Sequence, residues 1–318
     1  MLMEQHNDDQ RHKKLTPFVP LSLHSSRLAE IQYFANFIRR HALAMIYRAG
    51  SGHPGGSLSC ADLLAYLCQE ALAWQARRLT DFSATRDDVP RLILSKGHAC
   101  PALYAAAYGM GLIDRDALGE FRRINGRLQG HPHVALTPWV EVSTGSLGQG
   151  FSYAVGRAWA LRARRADAWT YVIIGDGELQ EGQVWEAALC AAHNRLGRLV
   201  AVVDYNRLQS DDFNENVLAL ESLRDKWQAF NWHVVEIPGH DIRRIHDAVV
   251  EARRIEDRPT VVIAHTQKGY GVKFMTNQPA WHGSVKLRTR EIRRALLELG
   301  ATASEIEQLI GPAGSDDG

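Results

Sequence analysis

Residues 171–182 read YVIIGDGELQEG, an apolar run followed at once by a glycine-rich turn. The run 171–174 is apolar at every position and rich in β-branched residues, which is typical of a strand buried on both faces. Gly175 and Gly177 flank Asp176, and glycine lets the backbone turn sharply and expose N–H groups to an anion at the next helix start. The sequence therefore predicts a strand, a ligand-binding turn and a helix in succession.

The same alternation continues along the second half of the chain. Further apolar runs predict strands at residues 199–203, 233–237 and 260–263. Helical patterns lie between the runs, at about 182–195, 217–230 and 241–256. Strands alternating with helices indicate an α/β protein with a mainly parallel central sheet and helices on both faces. Such sheets bind ligands beyond the carboxyl ends of their strands, where the glycines and charged residues of this chain are concentrated.

The first part of the chain is mainly helical in pattern. Apolar residues recur at helical spacing from Leu28 to Ile46 and predict one long helix, and a second helix is expected over about 59–72. A short apolar run at 92–94 leads directly into Ser95-Lys96-Gly97-His98 and a further helix.

Length and composition fit one large α/β domain or two smaller ones. The chain has 318 residues, with 37 Lys and Arg against 36 Asp and Glu, so its formal net charge is +1. That balance argues against nucleic acid or a membrane surface as partner, since both favour a clustered basic excess. Residues 1–15 and 311–318 lack periodicity and are expected to be mobile tails, which leaves 16–310 as a single domain.

Cysteine usage and the start of the chain bear on location. Residues 1–14 are polar and mixed in charge, unlike a secretory signal, and no apolar stretch approaches the roughly 20 residues that span a bilayer. The cysteines stand singly, without CxxC or metal-ligand spacing: Cys60, Cys68, Cys100 and Cys190. They are typical of core thiols in a reducing compartment, so we expect a cytoplasmic protein.

Oxygen-bearing side chains follow two of the predicted strands. Asp176 comes after the first strand of the second half, and Asn206 follows the next one, with 28 residues between Gly177 and Asn206. A carboxylate, an amide oxygen and a loop carbonyl are three hard oxygen ligands, and a diphosphate and water could complete an octahedral Mg²⁺ shell. The sequence thus predicts a magnesium–diphosphate site at the strand ends.

These motifs together resemble the thiamine diphosphate-binding fold, and in particular transketolase. The pattern of Gly175-Asp176-Gly177 followed by a distant Asn is shared with that fold. Further segments follow the transketolase order: SGHPGG at 51–56, SKGH at 95–98, GHP at 130–132, TGSLGQG at 144–150, residues 176–186 and WHG at 281–283. The resemblance covers roughly residues 25–285. It implies the cofactors thiamine diphosphate and Mg²⁺ and the transfer of a two-carbon ketol unit between sugar phosphates or related sugars.

The resemblance also implies roles for individual residues. Mg²⁺ is expected on Asp176, Asn206 and the Leu208 carbonyl. Cofactor-binding roles are expected for Gly145, Ser146, Leu147, Gly175, Gly177, Glu178, Asn206 and His98. Catalytic roles around the reacting carbon and the sugar hydroxyls are expected for His53, His98, His131 and His282. An isolated histidine is more often a surface or core residue, but these four fall in the glycine-rich turns that the family shares.

Three features leave alternatives open. Lys268 could reach a phosphate or could be a solvated loop lysine. Glu181 and Glu186 match a pair of carboxylates at the family's subunit contact, although Glu in the first turn of a helix commonly stabilises the helix dipole at the surface. Ser146 departs from the proline usual in its turn, and the flanking glycines remain.

The resemblance further implies a partner subunit. In transketolases a glutamate on a second, pyrimidine-binding domain activates the cofactor, and that domain carries arginines for the sugar phosphate. This chain looks like the amino-terminal subunit of a split transketolase, which implies an α₂β₂ assembly with a separate pyrimidine-domain subunit. The alternatives are the α-subunit of a 2-oxoacid dehydrogenase or a deoxyxylulose-phosphate synthase type of enzyme, or a non-catalytic cofactor-binding module. A nicotinamide-binding fold is disfavoured because no GxGxxG follows an early strand.

Overall fold

A computed structural model describes residues 22–72 and 89–312 of the chain. The strands in these residues are β1 (Arg91–Leu94), β2 (Thr170–Gly175), β3 (Leu199–Tyr205), β4 (His233–Pro238) and β5 (Thr260–His265). The helices are α1 (Ser25–Ala49), α2 (Pro54–Ser59), α3 (Ala61–Tyr66), α4 (Cys100–Gly109), α5 (Arg115–Leu118), α6 (Gln149–Ala163), α7 (Gly182–His193), α8 (Asn214–Val217), α9 (Leu223–Ala229), α10 (Ile242–Ala252), α11 (Thr289–Glu298) and α12 (Ala303–Ile310). Short 3₁₀ turns lie at Gly97–Ala99, Gly177–Gln180 and Pro279–Trp281, and a π-helical turn lies at Leu67–Ala71.

The strands form one sheet in the order β1-β2-β3-β5-β4, and every neighbouring pair is parallel. The register pairs Gly175, at the end of β2, with Asp204 near the end of β3, and Asp204 in turn with Ala264 of β5. The turns that follow these strands therefore open on the same edge of the sheet. The predicted α/β fold with a parallel sheet is confirmed.

Strand β2 supplies side chains to two different cores. Tyr171 and Ile173 belong to the cluster that contains α1, α3, α4 and α10, whereas Val172 and Ile174 belong to the cluster formed with α6 and α7. All residues of the strand are buried. Burial on both faces explains why the run has no polar alternation and why helices cover both sides of the sheet.

Two predicted helices differ from the expectation in extent. The helix expected over about 59–72 begins only at Ala61, because Cys60, with φ −88° and ψ 3°, separates it from α2, and after Tyr66 it continues as the π-helical turn Leu67–Ala71. The helix expected over 217–230 is shorter. Its main part, α9, begins after Ser222, whose hydroxyl caps the helix by accepting a hydrogen bond from the Asp225 N–H.

The predicted tails fall mostly outside the described residues. Residues 1–15 are not among them, and of 311–318 only residues 311 and 312 are described. Helix α12 ends at Ile310, and Gly311 follows it with φ 86°. The interpretation of 16–310 as a single domain stays a prediction.

The cysteines agree with the predicted core thiols. All four are free; Cys60, Cys68 and Cys100 are buried, and Cys190 is half-buried. Over residues 22–72 and 89–312, no helix has the length and apolar character that crossing a membrane requires.

Candidate active site

A cleft of about 300 Å³ opens where β1, β2, β3 and β5 end. Most of the predicted site residues line it, although they come from distant parts of the chain. They are His53, His98, Gly145, Leu147, Gly175, Asp176, Gly177, Glu178, Glu181, Asn206, Leu208, Lys268 and His282. His131, Ser146 and Glu186 do not line the cleft. The parallel register brings the turns together, as the rule for ligand sites in such sheets anticipates.

The three predicted metal ligands are buried side by side after β2 and β3. Asp176 is 2% exposed; its carboxylate accepts hydrogen bonds from the backbone N–H groups of Gly177 and Arg207. Asn206 is also buried, and its amide oxygen accepts from the Leu208 N–H at 3.2 Å. A carboxylate, an amide and a carbonyl are the donor chemistry that Mg²⁺ prefers, so these residues fit the expected ion.

Lys268 brings a positive charge to the same place. Its side chain is 2% exposed, and its ammonium donates a hydrogen bond to the Leu208 carbonyl. Burial lowers the pKa of Lys268 to about 7, although Asp176 favours the charged form, and burial raises the pKa of Asp176 to about 6, which Lys268 opposes. The Leu208 carbonyl and the Asp176 carboxylate are therefore the groups in this corner that stabilise a cation, against the cost of burying it. Of the two interpretations of Lys268, the solvated loop lysine is wrong.

A second buried lysine lies beneath the cleft. The Lys96 ammonium donates to an Asp204 carboxylate oxygen and, at 3.1 Å, to the Gly56 carbonyl. Asp204 also accepts hydrogen bonds from the hydroxyls of Ser59 and Thr266. Burial alone would lower the pKa of Lys96 and raise that of Asp204, but their attraction reverses both shifts and keeps the pair ionised.

Three of the four predicted histidines form a triangle in the cleft. The ring centroids of His53 and His98 are 5.4 Å apart, those of His98 and His282 5.6 Å, and those of His53 and His282 6.2 Å. Burial lowers the pKa of His53 to about 4 and that of His282 to about 3, and places the pKa of His98 well below its usual value; nearby cations add to each shift. At neutral pH all three are uncharged imidazoles.

The protonated nitrogen of two of these rings follows from their neighbours. Lys268 places its ammonium 2.6 Å from Nδ1 of His282, and Arg122 places a guanidinium nitrogen 3.4 Å from Nδ1 of His53. Arginine has no acceptor, so Nδ1 of His53 must accept, and Nδ1 of His282 accepts when Lys268 is protonated. The proton of neutral His53, and that of His282 beside a protonated Lys268, is therefore assigned to Nε2, which makes Nε2–H available as a donor.

His131 stands apart from this triangle. It is exposed, and it packs against Gly145, whose φ of 147° lies in the region that favours glycine. A Cβ atom at Gly145 would approach Cγ of His131 to 3.0 Å. Gly145 thus allows the backbone to pass the ring, and a catalytic role for His131 stays a prediction.

Glu178 connects three turns around the cleft. Its carboxylate accepts hydrogen bonds from the Ser95 hydroxyl, from the Gly148 N–H at 2.8 Å and from the Gly175 N–H at 3.1 Å. Burial raises its pKa above the usual value, and these hydrogen bonds partly offset that shift. Its carboxylate is thus committed to holding the turns after β1 and β2 against the start of α6. The predicted contact of Glu178 with the cofactor stays a prediction.

The remaining predicted residues lie at the rim or outside it. Leu147 is half-buried and faces the cleft, whereas Ser146 is exposed. Glu181 is exposed at the start of α7 on the edge of the cleft, and Glu186 is exposed one turn further along the helix. Their role at a subunit contact stays a prediction.

Two residues of the site were missed from sequence. Lys96 lies two residues after β1 and two before His98, and a lysine so close to a buried apolar run was a usable signal. Arg122 gave no signal, because it lies among several arginines in one loop. Only the fold shows that its guanidinium meets His53 and the hydroxyls of Ser51 and Ser284.

A parallel sheet with hard oxygen donors, two buried lysines and neutral histidines at its carboxyl edge is typical of α/β proteins that bind an anionic cofactor. Residues 31–308 match the family model described as transketolase, thiamine diphosphate binding domain. This chain belongs to that family. The match includes every predicted site residue.

Relatives of two lengths are similar to the chain. The 6-deoxy-6-sulfo-D-fructose transketolase subunit of Clostridium sp. strain MSTE9 is 40% identical, with 86% of this chain and 98% of that protein covered. An apulose-4-phosphate transketolase subunit of Phocaeicola vulgatus is 37% identical over 85% of this chain and 94% of that protein. Transketolase from Leishmania mexicana has a similar structure, with a TM-score of 0.79 and 29% identity over 88% of this chain and 44% of that one. The chain spans under half the length of that transketolase and nearly the full length of the two subunits.

Proposed function

We propose that this chain is the diphosphate-binding subunit of a two-subunit transketolase, a transferase that moves a two-carbon ketol unit from a ketose to an aldose. The observation that carries the proposal is the cleft in which Asp176, Asn206 and the Leu208 carbonyl meet Lys268 and three neutral histidines. Similarity over nearly the full length of two relatives named as transketolase subunits supports a chain that acts with a partner.

The oxygen ligands and Lys268 bind the charged end of the cofactor, while Lys96 stays paired with Asp204 beneath it. Asp176, Asn206 and the Leu208 carbonyl hold Mg²⁺, and the turn at Gly175 and Gly177 receives the diphosphate. Thiamine diphosphate supplies a thiazolium ring that accepts the electron pair released when a sugar carbon–carbon bond breaks. The Leu208 carbonyl accepts a hydrogen bond from the Lys268 ammonium. That ammonium therefore lies beside the groups that would hold Mg²⁺, where it would also attract the diphosphate.

The histidines act on the sugar. Neutral His53 and His282 present Nε2–H groups, which donate hydrogen bonds to sugar oxygens and stabilise a negative oxygen as it forms. Because their pKa values are low, these histidines stay uncharged at neutral pH and orient sugar hydroxyls without attracting anions. His98 completes the triangle beside the cofactor, and we assign His131 to the outer end of the substrate.

The partner covers the aromatic end of the cofactor. Within the part of the chain that the structure describes, the carboxylates lining the cleft are Asp176, Glu178 and Glu181. The first is on the metal side, the second is engaged by three donors, and the third is exposed at the rim. A carboxylate for the aminopyrimidine is therefore expected from a pyrimidine-domain subunit, in an α₂β₂ assembly in which Glu181 and Glu186 lie at the contact.

The substrates are expected to be sugar phosphates or related anionic sugars. The relatives named above act, by their names, on a sulfosugar and on apulose 4-phosphate, and both substrates carry an anionic group. The free thiols suit a reducing compartment, so we place the enzyme in the cytoplasm.

Calorimetric titration of thiamine diphosphate in Mg²⁺ tests the proposal, with the chain combined with its partner subunit. Asp176→Ala removes the charged metal ligand and should weaken cofactor binding 10- to 100-fold, about 1.4–2.8 kcal/mol. Asp247→Ala, an exposed aspartate of α10, is the matched control and should bind as the wild type does. Equal affinity in the wild type and Asp176→Ala would refute the metal assignment.

A further inference from the structure

A second cluster of buried charged and aromatic side chains lies outside the cleft, between α1, α3 and the loops that follow β4 and β5. Asp62 is fully buried and forms a salt bridge with Arg39. Two guanidinium nitrogens of Arg39 donate to the Asp62 carboxylate, and the longer of these hydrogen bonds is 3.3 Å. Nδ1 of His240 lies 2.7 Å from a carboxylate oxygen of Asp62. The Tyr270 ring stacks on His240 with 3.5 Å between centroids and 7° between planes, and Arg39 lies over the same ring.

The hydrogen bonds of His240 fix its tautomer. Nε2 accepts from the backbone N–H of Gln267 at 2.8 Å. An imidazole nitrogen that accepts from an amide carries no proton, so the proton of the neutral ring is on Nδ1 and is donated to Asp62. In this series of hydrogen bonds the Gln267 N–H donates to Nε2 of His240, and Nδ1–H of His240 donates to Asp62. Every donor and acceptor in the series is thus assigned. Arg39 holds the pKa of Asp62 below its usual value against the opposing effect of burial, which keeps the acceptor ionised.

Gln267 is the residue before Lys268, so this series of hydrogen bonds ends next to an active-site residue. The loop is held at other points by backbone hydrogen bonds from Gly269 N–H to the Gly55 carbonyl and from Asn277 N–H to the Lys268 carbonyl. The aliphatic part of Lys268 is closely confined, because a Cβ at Gly55 would lie 2.8 Å from its Cγ. A side chain so confined follows any shift of its own backbone.

We propose that Asp62 and His240 are a positioning pair that fixes the backbone at Gln267 and thereby sets the ammonium of Lys268 where it binds the anionic end of the cofactor. The identity of that anion rests on the proposed function, whereas the restraint on the loop does not. His240 touches neither cofactor nor substrate and acts only through Lys268.

A pair of substitutions separates the two hydrogen bonds of His240. Asn places its amide nitrogen near the position of Nδ1 and keeps the donor to Asp62, but it lacks an acceptor for Gln267. Gln places its amide oxygen near the position of Nε2 and keeps that acceptor. Hydrogen–deuterium exchange of the full chain without cofactor should show the Gln267 amide exchanging at least tenfold faster in His240→Asn, and within threefold of wild type in His240→Gln. His233→Asn, on β4, is the control and should leave that amide unchanged.

Binding of magnesium pyrophosphate to the same proteins tests the link to Lys268. His240→Asn should weaken binding about tenfold in the wild-type background and less than twofold in a Lys268→Ala background, since the lysine through which it acts is gone. Equal losses in both backgrounds, or wild-type exchange of the Gln267 amide in His240→Asn, would overturn the proposal.

Two further measurements keep the outcomes distinct. If His240→Asn does not fold, ¹H–¹⁵N correlation of the His240 ring in the wild type decides, because a proton found on Nε2 overturns the proposal and a proton on Nδ1 supports it. If the wild type binds no magnesium pyrophosphate, the proposed function fails, and the exchange of the Gln267 amide still decides whether His240 restrains the loop.

Discussion

Arg122 determines how His53 meets the substrate. Its guanidinium bridges the hydroxyls of Ser51 and Ser284 at 2.6 and 2.8 Å and faces Nδ1 of His53. Arg122 is also the largest contribution after burial to the lowered pKa of His53. Arg122 thus orients the His53 ring, favours the tautomer with its proton on Nε2 and opposes a second protonation of the ring.

Replacing Arg122 should therefore raise the pKa of His53. In Arg122→Gln a cation that opposes protonation is lost, so the pKa rises from about 4 but stays below 6.5, because burial remains the larger cause. NMR titration of the ring measures the shift, and kcat/KM with the partner subunit should fall by about tenfold. The control is Arg123→Gln, which loses only a surface contact with the Arg48 carbonyl. An unchanged or lower pKa in Arg122→Gln would contradict this account.

Gly145 and Gly156 offer a matched pair of glycines. Gly145→Ala must place a side chain at φ 147° and within 3.0 Å of His131, which should lower the free energy of unfolding by roughly 1–3 kcal/mol. Gly156 lies inside α6 with no atom within 4 Å of an added Cβ, so Gly156→Ala should raise the free energy of unfolding by about 0.5–1 kcal/mol. Urea denaturation of the chain alone measures both. If Gly145→Ala is as stable as the wild type, the turn tolerates a side chain at this position and the account is contradicted.

At the scale of elements, helix α1 contains a histidine that makes folding sensitive to pH. His41 lies between the rings of Phe37 and Tyr108, with centroid distances of 3.9 and 5.3 Å. Burial, together with the smaller effect of the nearby charges of Arg40, Arg115 and Arg48, lowers its pKa to about 4. The unfolded chain, with an ordinary histidine, therefore takes up a proton at a higher pH than the folded chain does.

The sign of the effect follows from that difference. As the pH falls from about 6.5 to 4, His41 binds its proton in the unfolded chain first, so this residue makes the folded chain progressively less stable. In His41→Gln this contribution is absent. The free energy of unfolding of the wild type relative to His41→Gln should decrease over that interval and stay constant between about pH 7 and 8. A pH-independent difference would show that His41 titrates alike in both states.

Sequence patterns predicted the elements best where burial is two-sided. The run 171–174 is apolar at every position, as a strand covered on both faces is expected to be, and β2 is buried throughout. The placement of Asp176 and Asn206 followed from parallel strands ending at one edge. The break at Cys60 and the late start of α9 depend on single backbone angles and on the Ser222 cap, which apolar periodicity does not encode.

Contacts between distant residues set the limit of sequence prediction for the site. Arg122 meets His53 across 69 positions, and His240 meets Asp62 across 178. Nothing near either residue marks it as part of a network, because the contacts arise only when several loops meet. The motifs therefore predicted the groups that face the ligand, and the fold alone revealed the groups that hold them in place.

At the scale of the whole molecule, the surface formed by α6 and α7 fits an assembly. Leu189 of α7 and Trp159 of α6 are 56% and 49% exposed. Glu186 precedes Leu189 by three positions, so the two residues share a face of α7. Exposed apolar side chains on neighbouring helices are common at subunit contacts. They support the proposed pairing in which a second subunit completes each cleft.

The most direct test of the central claim is ketol transfer by the chain alone and together with its pyrimidine-domain subunit. A panel of ketose phosphates and 6-deoxy-6-sulfo-D-fructose serves as donors and an aldose phosphate as acceptor, with thiamine diphosphate and Mg²⁺ present, and light scattering records the particle formed. We predict turnover only with both subunits, in a particle with the mass of two copies of each, and its loss when the chain carries Asp176→Ala. Turnover by this chain alone at the rate of the mixture would contradict the account, because the chain would then supply every catalytic group itself.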